Sequence, residues 1–263
     1  MNNGRRSFLT SAGMAALAMA SVPAVRSLAT AGHGGDEAGA MKARPEGLHA
    51  KRWAMVVDTR KLASEEDFEP LIEACHSFHN VPHIDTKQNI KWIWHDEFEA
   101  AFPEQLTRFP EEARPKVMDR PMLLLCNHCQ YPPCVRVCPT KATFKTDDGI
   151  VMMDMHRCIG CRFCMAGCPF GARSFNWRDP RPFIKEEYPD YPTREPGMVE
   201  KCDFCAKLLA KGQLPACVTE SKGALIFGDL ADEKSGPREA LKAHYTIRRK
   251  PYLGTNPQVY YIV

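Results

Sequence analysis

The first sustained apolar stretch of the chain follows a pair of arginines. After Arg5-Arg6, Phe8-Leu9 and an Ala- and Met-rich run carry no charge until Arg26. A twin arginine ahead of a weakly apolar segment predicts a twin-arginine signal peptide over residues 1–31, with small residues for cleavage at Ala29-Thr30-Ala31 or Ala38-Gly39-Ala40; the plain alternative is an amphipathic first helix. Residues 32–50, rich in Gly, Ala and charge, predict a linker. Regular structure is expected from Lys51. Trp53 to Asp58 predicts a short strand, and Ser64-Glu65-Glu66-Asp67 predicts a capped start for a helix through about Phe78. Trp92 and Trp94 share a second short alternating run. Two strand-like runs within Ala142–Asp154 flank Asp147-Asp148-Gly149, which is hairpin chemistry. The prolines of residues 178–198 exclude regular helix there. Later apolar runs, such as Met122 to Cys126, fall far short of the roughly eighteen residues a membrane span requires, so no direct span is expected.

With 263 residues the chain can bury a sizeable core in one large or two small domains. Its 35 Lys and Arg against 32 Asp and Glu give a net charge of +3. The signal segment holds Arg5, Arg6 and Arg26 and no acid, so the remainder balances at 32 of each sign. A neutral chain lacks the basic surface that neutralises phosphates, so no nucleic-acid partner is expected.

Cysteine changes the picture most. Of 12 cysteines, all but Cys75 lie between residues 126 and 217, a clustering typical of ligands. Cys158-x2-Cys161-x2-Cys164-x3-Cys168-Pro169 is the bacterial ferredoxin run for a cubane cluster, proline included. Cys126-x2-Cys129-x4-Cys134-x3-Cys138-Pro139 repeats it with two residues added. Cys202-x2-Cys205-x11-Cys217 is a third copy that stops at Ser221, and Cys75 is the only trace of a fourth. Counting back from Cys75 at ferredoxin spacing gives Leu71, Phe68 and Glu65, none of them a thiol.

A short Cys-x2-Cys-x2-Cys loop wraps three thiolates around one cube, and in two-cluster ferredoxins the last cysteine of each run serves the other cluster. Applied here, the rule predicts one 4Fe-4S cluster on Cys126, Cys129, Cys134 and Cys168, and a second on Cys158, Cys161, Cys164 and Cys138. Applied to the damaged pair, it predicts a third on Cys202, Cys205, Cys217 and Cys75, with every ligand position of a lost fourth cluster (Glu65, Phe68, Leu71 and Ser221) non-cysteine. Three 4Fe-4S clusters then use every cysteine, and Phe68 and Leu71 are expected to fill the vacated space. Export in the folded state suits a protein that must receive metal before it leaves the cytoplasm. Zinc is the competing metal, above all at the third copy, and Cys75 alone reads equally as a buried core thiol. His128 and His156 are read as loop residues rather than ligands. Lys201 and Lys207 are read as solvated lysines able to stabilise a reduced cluster, and Trp92 and Trp94 as packing.

These residues resemble the four-cluster electron-transfer subunits of respiratory complexes, the family of the small iron-sulfur subunits of dimethyl sulfoxide, polysulfide and tetrathionate reductases. The resemblance covers most of residues 51–263. It rests on Cys126-Asn127-His128-Cys129 with Pro132-Pro133-Cys134, the run at 158–168, Pro215-Ala216-Cys217, Phe227-Gly228-Asp229-Leu230 and Leu253 to Tyr261. The missing cluster and the twin-arginine segment look most like the DsrO group, periplasmic iron-sulfur subunits of the membrane complex associated with dissimilatory sulfite reduction.

The resemblance implies an α+β fold of two interleaved ferredoxin-like dicluster halves with insertions. One half takes residues 120–177; the other joins residues 51–80 to 199–230. Residues 81–119 and 178–198 are then insertions, and residues 231–263 a C-terminal extension. It implies a non-catalytic, periplasmic electron relay held at the membrane by an integral quinone-interacting subunit, with a multihaem cytochrome c subunit as a further partner. The departures at Glu65, Phe68, Leu71 and Ser221 put the usual contact to a molybdenum-pterin subunit in doubt and suggest that the lost cluster was terminal. The alternatives are a small subunit of a periplasmic molybdenum-pterin reductase and a catalytic iron-sulfur enzyme.

Overall fold

The computed structural model describes residues 46–106 and 117–263. The signal segment 1–31, linker residues 32–45 and residues 107–116 lie outside the described residues. Strand β1 (Trp53–Asp58) is buried along its whole length. Both of its faces are covered, which is why it reads as an unbroken apolar run. Trp53, Met55 and Val57 enter the main core, while Val56 packs with Ala240 and Ile262 in a separate cluster behind it.

A 3-10 turn at Glu65–Asp67 then leads into helix α1 (Glu69–Phe78). The Asp67 carboxylate accepts the Ser64 amide at 3.0 Å and the Ala63 amide at 2.9 Å, satisfying donors that the entry would otherwise strand. Leu71 and Cys75, four apart on one face of α1, point inwards.

Strand β2 (Ile93–Asp96) and the short helix α2 (Phe98–Ala101) come next. β2 pairs antiparallel with β3 (Met122–Leu125), Ile93 facing Leu125 and Asp96 facing Met122. Residues 81–119, read from the sequence as an insertion, are therefore tied to the strand that delivers Cys126. They also contribute Phe98 and Phe102 to the main core. Beyond β3 lie helix α3 (Pro133–Arg136) and the hairpin of β4 (Thr143–Lys145) with β5 (Val151–Met153). The hairpin turn docks on β1: the Trp53 amide donates to the Asp148 carbonyl at 3.0 Å and the indole to its carboxylate at 2.9 Å.

Helix α4 (Phe163–Ala166) precedes β6 (Ser174–Phe175), which pairs with β7 (Val199–Glu200) across the proline-rich loop. Helices α5 (Ala206–Leu209) and α6 (Ala216–Glu220) follow, and α6 packs against α1. The chain closes with β8 (Leu225–Asp229), α7 (Gly236–Ala243), β9 (Thr246–Ile247) and β10 (Val259–Ile262). These strands and β1 form a sheet in the order β8-β1-β10-β9, with β1 and β10 parallel. The segment read as a C-terminal extension thus supplies an interior strand. Leu48, within the expected linker, donates its amide to the Leu209 carbonyl at 2.8 Å. Among the described residues no helix is long and apolar enough to cross a membrane.

Candidate metal centres

The three Cys-x2-Cys turns share one backbone device. The residue before the second cysteine is left-handed each time: His128 at φ 39, Gly160 at φ 68 and Phe204 at φ 54. That conformation costs an L-residue about 1–2 kcal/mol, so packing must hold it in place. His128 and Phe204 hold one another, their rings stacked 3.6 Å apart at 15°. Gly160 has no side chain, and a Cβ built there would collide with the Gly197 carbonyl oxygen. Gly160→Ala is therefore expected to lower stability by at least about 1–2 kcal/mol and to cost the second run its metal. Thermal melting together with iron analysis checks this, and an alanine variant with unchanged melting and iron would exclude it.

Short helices then present the next thiols: Cys134 on α3, Cys164 on α4 and Cys217 on α6, while Cys75 comes from α1. Cys126, Cys129, Cys134 and Cys168 line one small cavity together with Pro132, Pro133, Phe170 and Arg173. Burial pushes the Cys129 thiol up to about 12, reinforced by Cys126, Cys134 and Cys168 and opposed by the Thr255 hydroxyl. Cys168 is raised by burial and then by Cys126 and Cys134.

Cys164 is likewise raised by burial, with Arg173 opposing and Cys134, Cys138 and Cys158 adding to it. Cys161 stands exposed on the same loop. Burial also acts on Cys138, but the Thr143, Thr140 and Ala142 amides and the Thr140 hydroxyl outweigh it and lower its pKa; the Thr143 amide donates to its sulfur at 3.5 Å. In the third group Cys75 is held well above its ordinary value, first by burial, then by Cys205, Cys217 and Cys202. Cys217 is pushed up to about 12 by burial. Cys126, Cys129, Cys134 and Cys168 thus share a cavity, Cys164 lies near Cys134, Cys138 and Cys158, and Cys75 lies near Cys202, Cys205 and Cys217.

The Cys126 group adjoins both others: Cys134 neighbours Cys164, and Cys126 neighbours Cys202. Of the four non-cysteine positions in the expected fourth set, Glu65 is exposed and lies 3.9 Å from His95 Nδ1, and the other three are engaged within the fold. Phe68 and Leu71 are buried in the main core, with Phe68 stacked on His95 at 5.4 Å. Each such side chain contributes roughly 1.5–3 kcal/mol by leaving water. The Ser221 hydroxyl donates to the Val218 carbonyl at 2.7 Å and accepts the Leu225 amide at 3.1 Å.

Several residues escaped the sequence reading. Arg173 is 5% exposed; its Nη1 donates to the Thr143 hydroxyl at 3.2 Å and its Nη2 has no partner. Lys201, expected in solvent, is 2% exposed and donates to the carbonyls of Val151 and Cys202. Beside the third group, His79 Nδ1 lies 2.7 Å from the Cys75 carbonyl and Nε2 3.2 Å from the Asp203 carboxylate, which also accepts the Tyr191 hydroxyl at 3.1 Å. His79, Asp203 and Cys205 are close enough to hold an ion, yet both ring nitrogens already face oxygens. His128 accepts the Val151 amide at 3.0 Å through Nδ1, in keeping with a loop residue. His156 is exposed, and Lys207 sits 6.0 Å above the Tyr191 ring.

Four convergent thiols on ferredoxin-spaced loops suit an iron-sulfur cluster better than zinc, whose structural ligand pairs are separated by longer spacers. The fold and its cysteine turns define a mixed α/β, ferredoxin-type iron-sulfur protein. The 4Fe-4S dicluster domain family matches residues 122–181. The iron-sulfur subunit 1 of an Hdr-like menaquinol oxidoreductase from Archaeoglobus fulgidus is 40% identical over 240 residues, 82% of this protein and 86% of that one. The iron-sulfur cluster-binding subunit of a menaquinone reductase from Nitratidesulfovibrio vulgaris is 34% identical over 238 residues, 80% and 88% of the two proteins. The B subunit of the polysulfide reductase of Wolinella succinogenes is 40% identical over 139 residues, 52% and 64%. The chain belongs to this family of iron-sulfur electron-transfer subunits of menaquinol, polysulfide and dimethyl sulfoxide reductase-type complexes.

Proposed function

We propose that this subunit carries three 4Fe-4S clusters in a row and relays single electrons between a quinone-interacting membrane subunit and a periplasmic redox partner. The Cys126 group, adjoining both others, carries the reading. Bound clusters would supply one-electron exchange; the protein holds them, excludes water and sets their surroundings. Cys126, Cys129, Cys134 and Cys168 would hold the central one, Cys158, Cys161, Cys164 and Cys138 one end, and Cys202, Cys205, Cys217 and Cys75 the other. With every cysteine used as a ligand, no open metal position is left for substrate, which supports a non-catalytic role.

Exposed Cys161, flanked by Ile159 at 67% and Phe163 at 59% exposure, offers one end of the row to a partner. Leu71 lies on α1 with Cys75, Phe68 and Ser221 cap α1 and α6, and Glu65 lies in the turn before α1, which supports loss of a terminal cluster and two interleaved dicluster halves. The Arg5-Arg6 segment supports folded export by the twin-arginine route, with attachment through a membrane subunit. A multihaem cytochrome c and a place in a sulfite-reduction-associated complex of the DsrO type complete the proposal.

The test is iron and acid-labile sulfide on anaerobically purified protein, with electron paramagnetic resonance (EPR) of the reduced form. About twelve iron per chain with interacting cubane signals is expected, four per cluster. About eight would leave two clusters and hand the third cysteine group to zinc or to nothing. Affinity purification of the full chain from membranes checks the partners.

A further inference from the structure

Lys201 and Arg173 are buried cations; the buried Asp203 carboxylate feels the charge of Lys201 from beyond ion-pair distance and is itself paired with His79. Among the described residues neither has a carboxylate within ion-pair distance. Lys201 hydrogen-bonds only to backbone carbonyls, at 2.6 Å for Cys202, and Nη2 of Arg173 has no hydrogen-bond partner, although Cys134 acts on the guanidinium. A buried ion left uncompensated costs several kcal/mol, so each cation demands an anion nearby. Their places are specific. Arg173 lies where the Cys126 and Cys158 groups adjoin, close to Cys134, Cys164 and Cys126. Lys201 lies where the Cys126 and Cys202 groups adjoin: it precedes Cys202, which neighbours Cys126, and it reaches Val151 on the wall of the central cavity.

We propose that Arg173 and Lys201 set the potentials of the relay, one fixed cation in each of its two junctions, so that the central cluster is stabilised in its reduced form by both and each outer cluster by one. The inference rests on the three-cluster reading. A cluster on four thiolates is an anion that gains a further negative charge on reduction, so a nearby fixed cation favours the reduced form. In the row this makes the centre the place where an electron rests. It also softens the repulsion between neighbouring reduced clusters, because each pair shares a cation.

The experiment is a redox titration of the whole protein followed by EPR, for Lys201→Gln, Arg173→Gln and the double variant. Each single variant should lower two of three titration steps, with one step common to both. At fixed poise the reduced-to-oxidised ratio should fall about tenfold at each affected step, which is about 59 mV for one electron. In the double variant the common step should fall by both amounts. Unmoved steps, or three steps moving equally at full iron content, would overturn the inference while leaving the three-cluster reading intact. If a neutral variant loses iron, Lys201→Arg and Arg173→Lys decide: full iron and unmoved steps support a charge requirement, whereas iron loss there as well makes the positions packing requirements and overturns it. A wild-type content of about eight iron would defeat the three-cluster reading instead. Arg173→Gln should then still move both remaining steps, and the inference fails if it does not.

Discussion

Cys75→Ala should remove the third cluster and leave the other two, with iron falling from about twelve towards eight per chain and one cubane signal lost or replaced by that of a three-iron species. Cys75 is 3% exposed on α1, in the mutual field of Cys202, Cys205 and Cys217. No neighbour is placed to substitute for it. His79 Nδ1 approaches its sulfur at 3.7 Å but is committed to the Cys75 carbonyl, and Nε2 faces Asp203. The vacated set offers Phe68 and Leu71, buried in the core, the Ser221 hydroxyl, engaged by Val218, and Glu65, exposed beside His95. The Cys126 and Cys158 groups draw no thiol from α1 and should titrate unchanged. Iron analysis and EPR of the purified variant decide the matter; full iron would make Cys75 an ordinary core thiol and return the third site to zinc or to nothing.

The second large effect is on stability. Arg194→Met should destabilise the protein by about 3–5 kcal/mol, because it strands a buried carboxylate. Arg194 is 1% exposed and Glu200 0%, and Nη2 meets the carboxylate at 2.6 Å. Glu200 also accepts from the Trp92 indole at 2.7 Å and from Asn176. Arg194 in turn donates to the carbonyls of His79 and Asn80, just past the end of α1. The pair therefore clamps the proline-rich loop, β2 and the helix that carries Cys75, so the third group should loosen first. Urea unfolding measures the loss. Pairing Arg194→Met with Glu200→Gln should recover part of it, since no buried charge is then left alone. A single variant within about 0.5 kcal/mol of the wild type would show that water already reaches the pair.

Local features were legible because their signals lie within a few residues. The apolar run Trp53–Asp58, the Asp67 cap and the hairpin around Asp148 appear in the structure as expected. The nearness of Cys126, Cys129, Cys134 and Cys168 around one cavity follows from the same short-range spacing. Features made by distant pairs were hidden. Residues 81–119 looked like an insertion because nothing in Ile93–Asp96 announces Met122–Leu125 as its partner. Strand β10 looked like an extension because its place beside β1 depends on chain ends 203 residues apart, as between Thr59 and the Ile262 carbonyl it donates to. Arg173 did carry a signal that went unused. It stands five residues after Cys168 as Thr143 stands five after Cys138, and the two equivalent positions meet at 3.2 Å. Arg194 and Glu200 sit in charge-rich sequence, where only the fold distinguishes a buried ion pair from solvated ones.

The stack of His128 on Phe204 links how the sites are filled. Each ring packs on the other's left-handed turn, so the first and third cysteine loops brace one another. The Gly160 turn leans on Gly197 and needs neither. A disturbance of either turn should therefore be felt at the other, whereas the exposed turn at Cys161 can be strained or repaired without passing through that pair of rings.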